Sequence, residues 1–204
     1  MAIPAIILEA QGKQTITFTV PLHTGRKVHM EGLLDPMDLG PEALAALAYE
    51  LSGITRVFTE TAHFNWALAA ASQEDFLKLI ETWLGAAGLG RDGLGLLKEV
   101  MEKLDLVEAD LQLFYQVDIR DWFTPGGLST RRVLSLVRGL EHRTDSLFWA
   151  SFSELDPMDL GALISAQLWG LWSGEVHKTI TAKRDRKNAE LQEEQMKRIQ
   201  QRGF

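Results

Sequence analysis

The period of the apolar pattern changes once along this chain, and that change limits the folds open to it. Up to Met30 the pattern is that of strands. "TITFTV" alternates, with Ile16, Phe18 and Val20 on one face and Thr15, Thr17 and Thr19 on the other. Alternation with period two is the signature of a half-buried strand. "AIILEA" before it, across a turn at Gln11–Lys13, and "KVHM" after it, across the turn "HTGR", are read as the flanking strands of a small antiparallel meander. From Pro41 onward the spacing is helical. Leu44, Leu47, Ala48 and Leu51 share a face behind a proline in the first turn, and "ITRVFTETAHFNWALAAA" continues as helix. "SQEDFLKLIETWL" has Ser72 as N-cap, acids in its first turn and a stripe of Phe76, Leu77, Ile80, Trp83 and Leu84. Further helices are expected over Leu96–Leu104 and Leu106–Tyr115. Another is capped by Ser129, with Val133, Val137 and Leu140 inward, and short "TDSLFWASF" and apolar "GALISAQLWGLW" follow. The fold class is therefore α+β and mainly α-helical: a small N-terminal β-meander, helices, then a helical C-terminal module.

Between the two helical runs lies "GAAGLGRDGLG", five glycines in eleven residues. Such a density of breakers predicts a linker. It divides the chain into an N-terminal module (1–84), a linker (85–95), a C-terminal helical module (96–181) and a polar, basic tail (182–204), expected as a solvated tail or as an arm that folds onto a partner. At 204 residues, one domain or two small ones are expected. The apolar share of 46% and charged share of 24% are those of a globular protein with a sizeable core. No apolar run approaches bilayer length, and "MAIPAIILEAQ" makes a poor signal peptide.

Several chemistries are disfavoured. Without cysteine there are no disulfides, thiolate metal sites, iron–sulfur clusters or cysteine nucleophiles. The net charge is −7, and the tail from Lys183 carries seven basic against four acidic residues, so the acid is concentrated in the body. An acidic body opposes phosphate binding, and no nucleic-acid partner is expected. Gly88, Gly90 and Gly93 spell G-x-G-x-x-G, but the dinucleotide fingerprint needs a strand before it, and here a helix precedes. Among the five histidines none has a histidine partner three or four residues on; His23 and His29 could meet across a hairpin but lack further ligands. No catalytic residue, cofactor or metal is expected, and the chain is read as non-enzymatic.

The heptapeptide "LDPMDLG" occurs twice, at Leu34–Gly40 and Leu155–Gly161. Aspartate before proline is an N-cap solution, and the second aspartate suits the helix N-terminus. Pro41 limits the first copy to a single turn. The second is expected to open one helix from Pro157 to Trp172. In that helix Trp169 and Trp172 stand three apart, which fits core burial of at least one or an aromatic hot spot for a partner helix.

The stretch "EADLQLFYQVDIRDWFTPGGLSTRRVLSLVRGLEHRTDSLFWASF…LWGLW", Glu108 to Trp172, resembles the C-terminal region of tail assembly chaperones of long-tailed bacteriophages, particularly those infecting actinobacteria. The shared positions are Asp110, Tyr115, Val117–Asp118–Ile119, Leu128–Ser129, Arg131–Arg132, Leu136–Val137 and Leu140, with Trp169 and Trp172 before a polar end. The family often has glycine after the aromatic, where this chain has Gln116, and proline after the helix leucine, where it has Glu141. The resemblance implies the long, two-module form of a chaperone that binds the tape measure protein, keeps it soluble and helps recruit the major tail protein. Such a protein works in the host cytoplasm and is absent from the mature virion. Self-association is compatible with that role, and no membrane partner is expected. Arg131, Arg132 and Arg138, as a cationic helix face, and Trp169 and Trp172 are the candidate partner-binding residues. A solvated face is the alternative for the arginines. The competing function is a structural virion component, a tail or head–tail connector subunit.

Overall fold

A computed structural model describes residues 4–201 apart from 51, 70, 71, 154, 155 and 159. The alternating segment forms the hairpin β1 (Thr15–Pro21) and β2 (Lys27–Leu33), antiparallel, with Phe18 opposite Met30 and Val20 opposite Val28. Ile16, Phe18, Val20, Val28 and Met30 are buried on one face, as the alternation requires. The turn closes through the Leu22 N–H donating to the Arg26 carbonyl, with Gly25 at φ +79°. Among the described residues the sheet has these two strands. The expected first strand is instead a helix, α1 (Ala5–Ala10). A continuous apolar run carries no period-two signal, so strand and helix are not distinguished by it. Gly12 at φ +69° and the Lys13 N–H donating to the Leu8 carbonyl end the helix.

The helices that follow are α2 (Pro41–Glu50), α3 (Glu60–Leu68), α4 (Gln73–Ala86), α5 (Gly93–Glu102), α6 (Leu104–Tyr115) and α7 (Thr130–Arg138). The expected helix beyond Gly53 is divided. A 3₁₀ turn spans Ser52–Val57, Phe58 bridges to Gly32 at the edge of β2, and α3 restarts with the Thr59 hydroxyl accepting from the Ala62 N–H. α4 packs along β1 and α3 along β2. Gly32 permits this: a Cβ there would lie 3.2 Å from both Phe58 and Trp83. The Trp83 indole, fully buried, donates to the Leu33 carbonyl at 2.9 Å. The inward stripe of α4 is Leu79, Ile80, Trp83 and Leu84; Leu77, placed on it from the sequence, is exposed. Val133, Val137 and Leu140 are buried as expected.

The chain separates into two compact units, Met1–Arg138 and Gly139–Phe204. The division does not fall in the glycine-rich segment 85–95, which corrects the expected linker. That segment is a packed helix–helix turn inside the first unit. Gly88 at φ +71° ends α4 with the Leu89 N–H donating to the Leu84 carbonyl. A Cβ on Gly88 would sit 2.8 Å from Arg131 Cδ, and one on Gly90 2.8 Å from Arg138 Nη2. Gly88 and Gly90 serve backbone geometry and the close approach of two α7 arginines, not flexibility. The second unit contains α8 (Leu147–Ala150), α9 (Leu160–Ser173) and α10 (Lys178–Gln201).

The two heptapeptides diverge. In the first, Asp35 caps the single turn Pro36–Leu39 by accepting from the Met37 N–H, and Pro41 then opens α2. In the second, Leu155 and Asp159 lie outside the described residues. Asp156, Pro157 and Met158 are not helical and α9 begins at Leu160, so the helix expected from Pro157 starts later. The Met158 N–H donates to the Thr144 carbonyl rather than to a helical partner.

Candidate partner-binding surface

α9 carries no ionisable residue from Leu160 to Ser173. A helix of this kind is expected to be buried on most of its circumference. Here Ala166 is its one buried side chain among those described. Ile164, Leu168, Leu171 and Trp172 recur at helical spacing and lie on one stripe, all exposed; Leu171 retains 83% and Trp172 87% of its accessible surface. Val176 continues the apolar surface past the Gly174 turn, where φ is +75°.

The opposite side of α9 faces α10. Ala162, Ala166 and Trp169 line a cavity of about 680 Å³ with Met158, His177 and Arg186. Trp169 is half exposed and meets His177 edge-on, ring centroids 5.1 Å apart. Neither tryptophan is a core residue. The expected burial of at least one fails: what α10 presents to this side of α9 is Thr179, Ala182 and Arg186, which leave Trp169 partly open.

α10 is helix through the described residues of the tail, and its first turns are tied down. The Lys183 ammonium donates to the carbonyls of Ala150, the last residue of α8, and of Ser153. Arg186 pairs with both carboxylate oxygens of Asp156. Phe148 is buried, and its ring lies 5.2 Å from those of Trp149 and Phe152.

The three arginines do not form a free cationic face. Arg131 makes a bidentate pair with Glu9 of α1, both side chains largely covered. Arg138 bonds Asp92 at 2.9 Å and the Leu89 carbonyl, closing the glycine-rich turn. Arg132 alone points outward, and its backbone N–H donates to Ser129. The five expected residues therefore fall in two units: Arg131, Arg132 and Arg138 in the first, Trp169 and Trp172 in the second. Two of the arginines are structural. Ile164 belongs to the exposed stripe and was not among the candidates; the absence of charge along the whole helix was the signal for it.

Two carboxylates of the first unit, Asp75 and Asp35, reach partners far along the chain that the sequence did not reveal. Asp75 is fully buried. It accepts from the Ser72 N–H and hydroxyl and from the His23 N–H and ring Nδ1, the last at 2.6 Å. Burial alone would raise its pKa, but these donors outweigh burial and hold the carboxyl well below its usual range. The pair latches the hairpin turn onto α4. Asp35 accepts from the Thr130 N–H and hydroxyl, and so caps α7 from 95 residues away, while the buried Trp122 indole donates to the same hydroxyl. Burial, with Asp35 beside it, pushes the Asp38 carboxyl up.

No protein-family model, curated protein or solved structure matches this chain. Among the described residues, no helix is long and apolar enough to cross a membrane.

Proposed function

We propose that this protein is a non-enzymatic tail assembly chaperone of a long-tailed bacteriophage. It binds the tape measure protein, keeps it soluble and helps recruit major tail subunits while the tail forms in the host cytoplasm. The resemblance over Glu108–Trp172 suggests the role. The observation that carries it is the uncovered, uncharged stripe of Ile164, Leu168, Leu171 and Trp172. Exposed contiguous apolar surface marks an interaction site. A tape measure protein is long and mostly helical, and its apolar stripes would aggregate before the tube encloses them. Helix against apolar helix face is the mode of recognition that such a surface fits. Large aromatic anchors such as Trp172 supply most of the energy in contacts of this kind.

The test is co-expression with the tape measure protein encoded beside it. Soluble tape measure protein that co-purifies with this chain is the expected result. An insoluble tape measure protein beside abundant, folded chain overturns the reading. Many copies of the chain in purified virions would establish the structural-subunit alternative instead.

A further inference from the structure

A chaperone with this stripe uncovered would itself aggregate, so something must cover the stripe when no tape measure protein is bound. We propose that a second copy of the chain does so: α9 pairs antiparallel with α9 of another molecule about a two-fold axis at Leu168, and the tape measure helix displaces it. The inference rests on the reading of α9 as the client-binding face.

The stripe is self-complementary about Leu168. Four residues before it stands Ile164 and four after it Trp172, while three before it stands Ser165 and three after it Leu171. In an antiparallel pair centred on Leu168, each Ile164 meets the other molecule's Trp172, and each Leu171 meets a Ser165. Large residues then oppose small or branched ones, the fit that lets two helices approach closely. The chain carries a net charge of −7, so most faces of two copies would repel. α9 has no ionisable residue and escapes that penalty. From their fractional exposures, the four side chains leave on the order of 600 Å² uncovered per molecule. A stable, specific interface takes about 800 Å² per partner. The area thus favours a real but exchangeable dimer, as a cover that must later be displaced requires.

The test is sedimentation equilibrium of the full chain from about 1 to about 200 µM. The wild type is expected to rise from the monomer mass of 22.8 kDa towards twice that value. Leu168→Glu, which places two carboxylates face to face at the axis, is expected to stay monomeric with an unchanged circular dichroism spectrum. Leu113→Glu, at an exposed leucine on α6, is expected to dimerise like the wild type. Because the chain lacks cysteine, Leu168→Cys treated with a short bismaleimide is expected to give a homodimer band, and Leu113→Cys none. A wild type monomeric throughout the range, or a dimer undiminished in Leu168→Glu, overturns the proposal. A monomeric wild type that still solubilises the tape measure protein sinks this inference alone. A dimer with no hold on the tape measure protein sinks the functional reading while leaving the self-pairing of α9 standing.

Discussion

Asp35 and Asp156 occupy the same place in the same heptapeptide and hold different things together. Asp35 accepts from Met37 and from both donors of Thr130, a residue with no exposed surface. Asp35→Ala therefore removes an N-cap and leaves buried donors unpaired, and is expected to cost about 2–3 kcal/mol in urea unfolding. Asp156 makes an exposed ion pair with Arg186, and Asp156→Ala is expected to cost less than about 1 kcal/mol. Equal costs would mean that the two copies have equivalent roles. Asp75 gives a pH signature. Its folded pKa lies below the ordinary value of 3.8, so its contribution is complete above that value and is lost as the pH falls through the folded pKa. Wild type should lose stability steeply as the pH falls below about 4, and Asp75→Asn, less stable at neutral pH, should lose less over the same interval. Parallel acid profiles for the two proteins would contradict the latch between His23 and Asp75.

Two helices end on a left-handed residue, a glycine in one and a glutamine in the other. α4 closes on Gly88, with the Leu89 N–H reaching the Leu84 carbonyl; α6 closes on Gln116, with the Val117 N–H reaching the Leu111 carbonyl. Both closing residues are left-handed, Gly88 at φ +71° and Gln116 at φ +55°, and Gln116 is the one non-glycine with positive φ among the described residues. A side chain there is disfavoured by crowding of its Cβ. Gln116→Gly is thus expected to stabilise by about 0.5–1 kcal/mol, and Gly88→Ala to destabilise by about 1–2 kcal/mol, both read from thermal unfolding. At this scale the sequence was readable wherever one physical signal stood alone. The alternation of β1, the N-cap at Ser72 and the inward face of α7 were all visible in it. It misled where two structures share a signal. The apolar run of α1 fits strand or helix, and a cluster of glycines fits a loose linker or a turn pressed under Arg131 and Arg138. Asp75 and the α7 cap at Asp35 were illegible because their partners lie 52 and 95 residues away.

For the whole molecule, the divide between Arg138 and Gly139 makes a prediction of its own. Limited trypsin digestion should first release fragments ending near 138–143, whereas early cleavage at Arg91 would restore the glycine-rich segment as the joint between modules. The division also separates the candidate residues by role. Arg131 and Arg138 build the first unit, while the second unit carries the uncovered stripe. The uncharged, apolar character of α9 and its two tryptophans was legible in the sequence. The fate of the arginines was not, since a basic helix face looks alike whether solvated or paired with carboxylates from other elements. The proposed role of the α9 stripe is to hold a tape measure protein in solution. It is tested most directly by co-expressing that protein with the wild type and with Leu171→Glu/Trp172→Glu, and measuring the soluble tape measure fraction. Solubility and co-purification with the wild type, both lost in a variant of unchanged fold, are predicted; a variant that solubilises as well as the wild type would rule that role out.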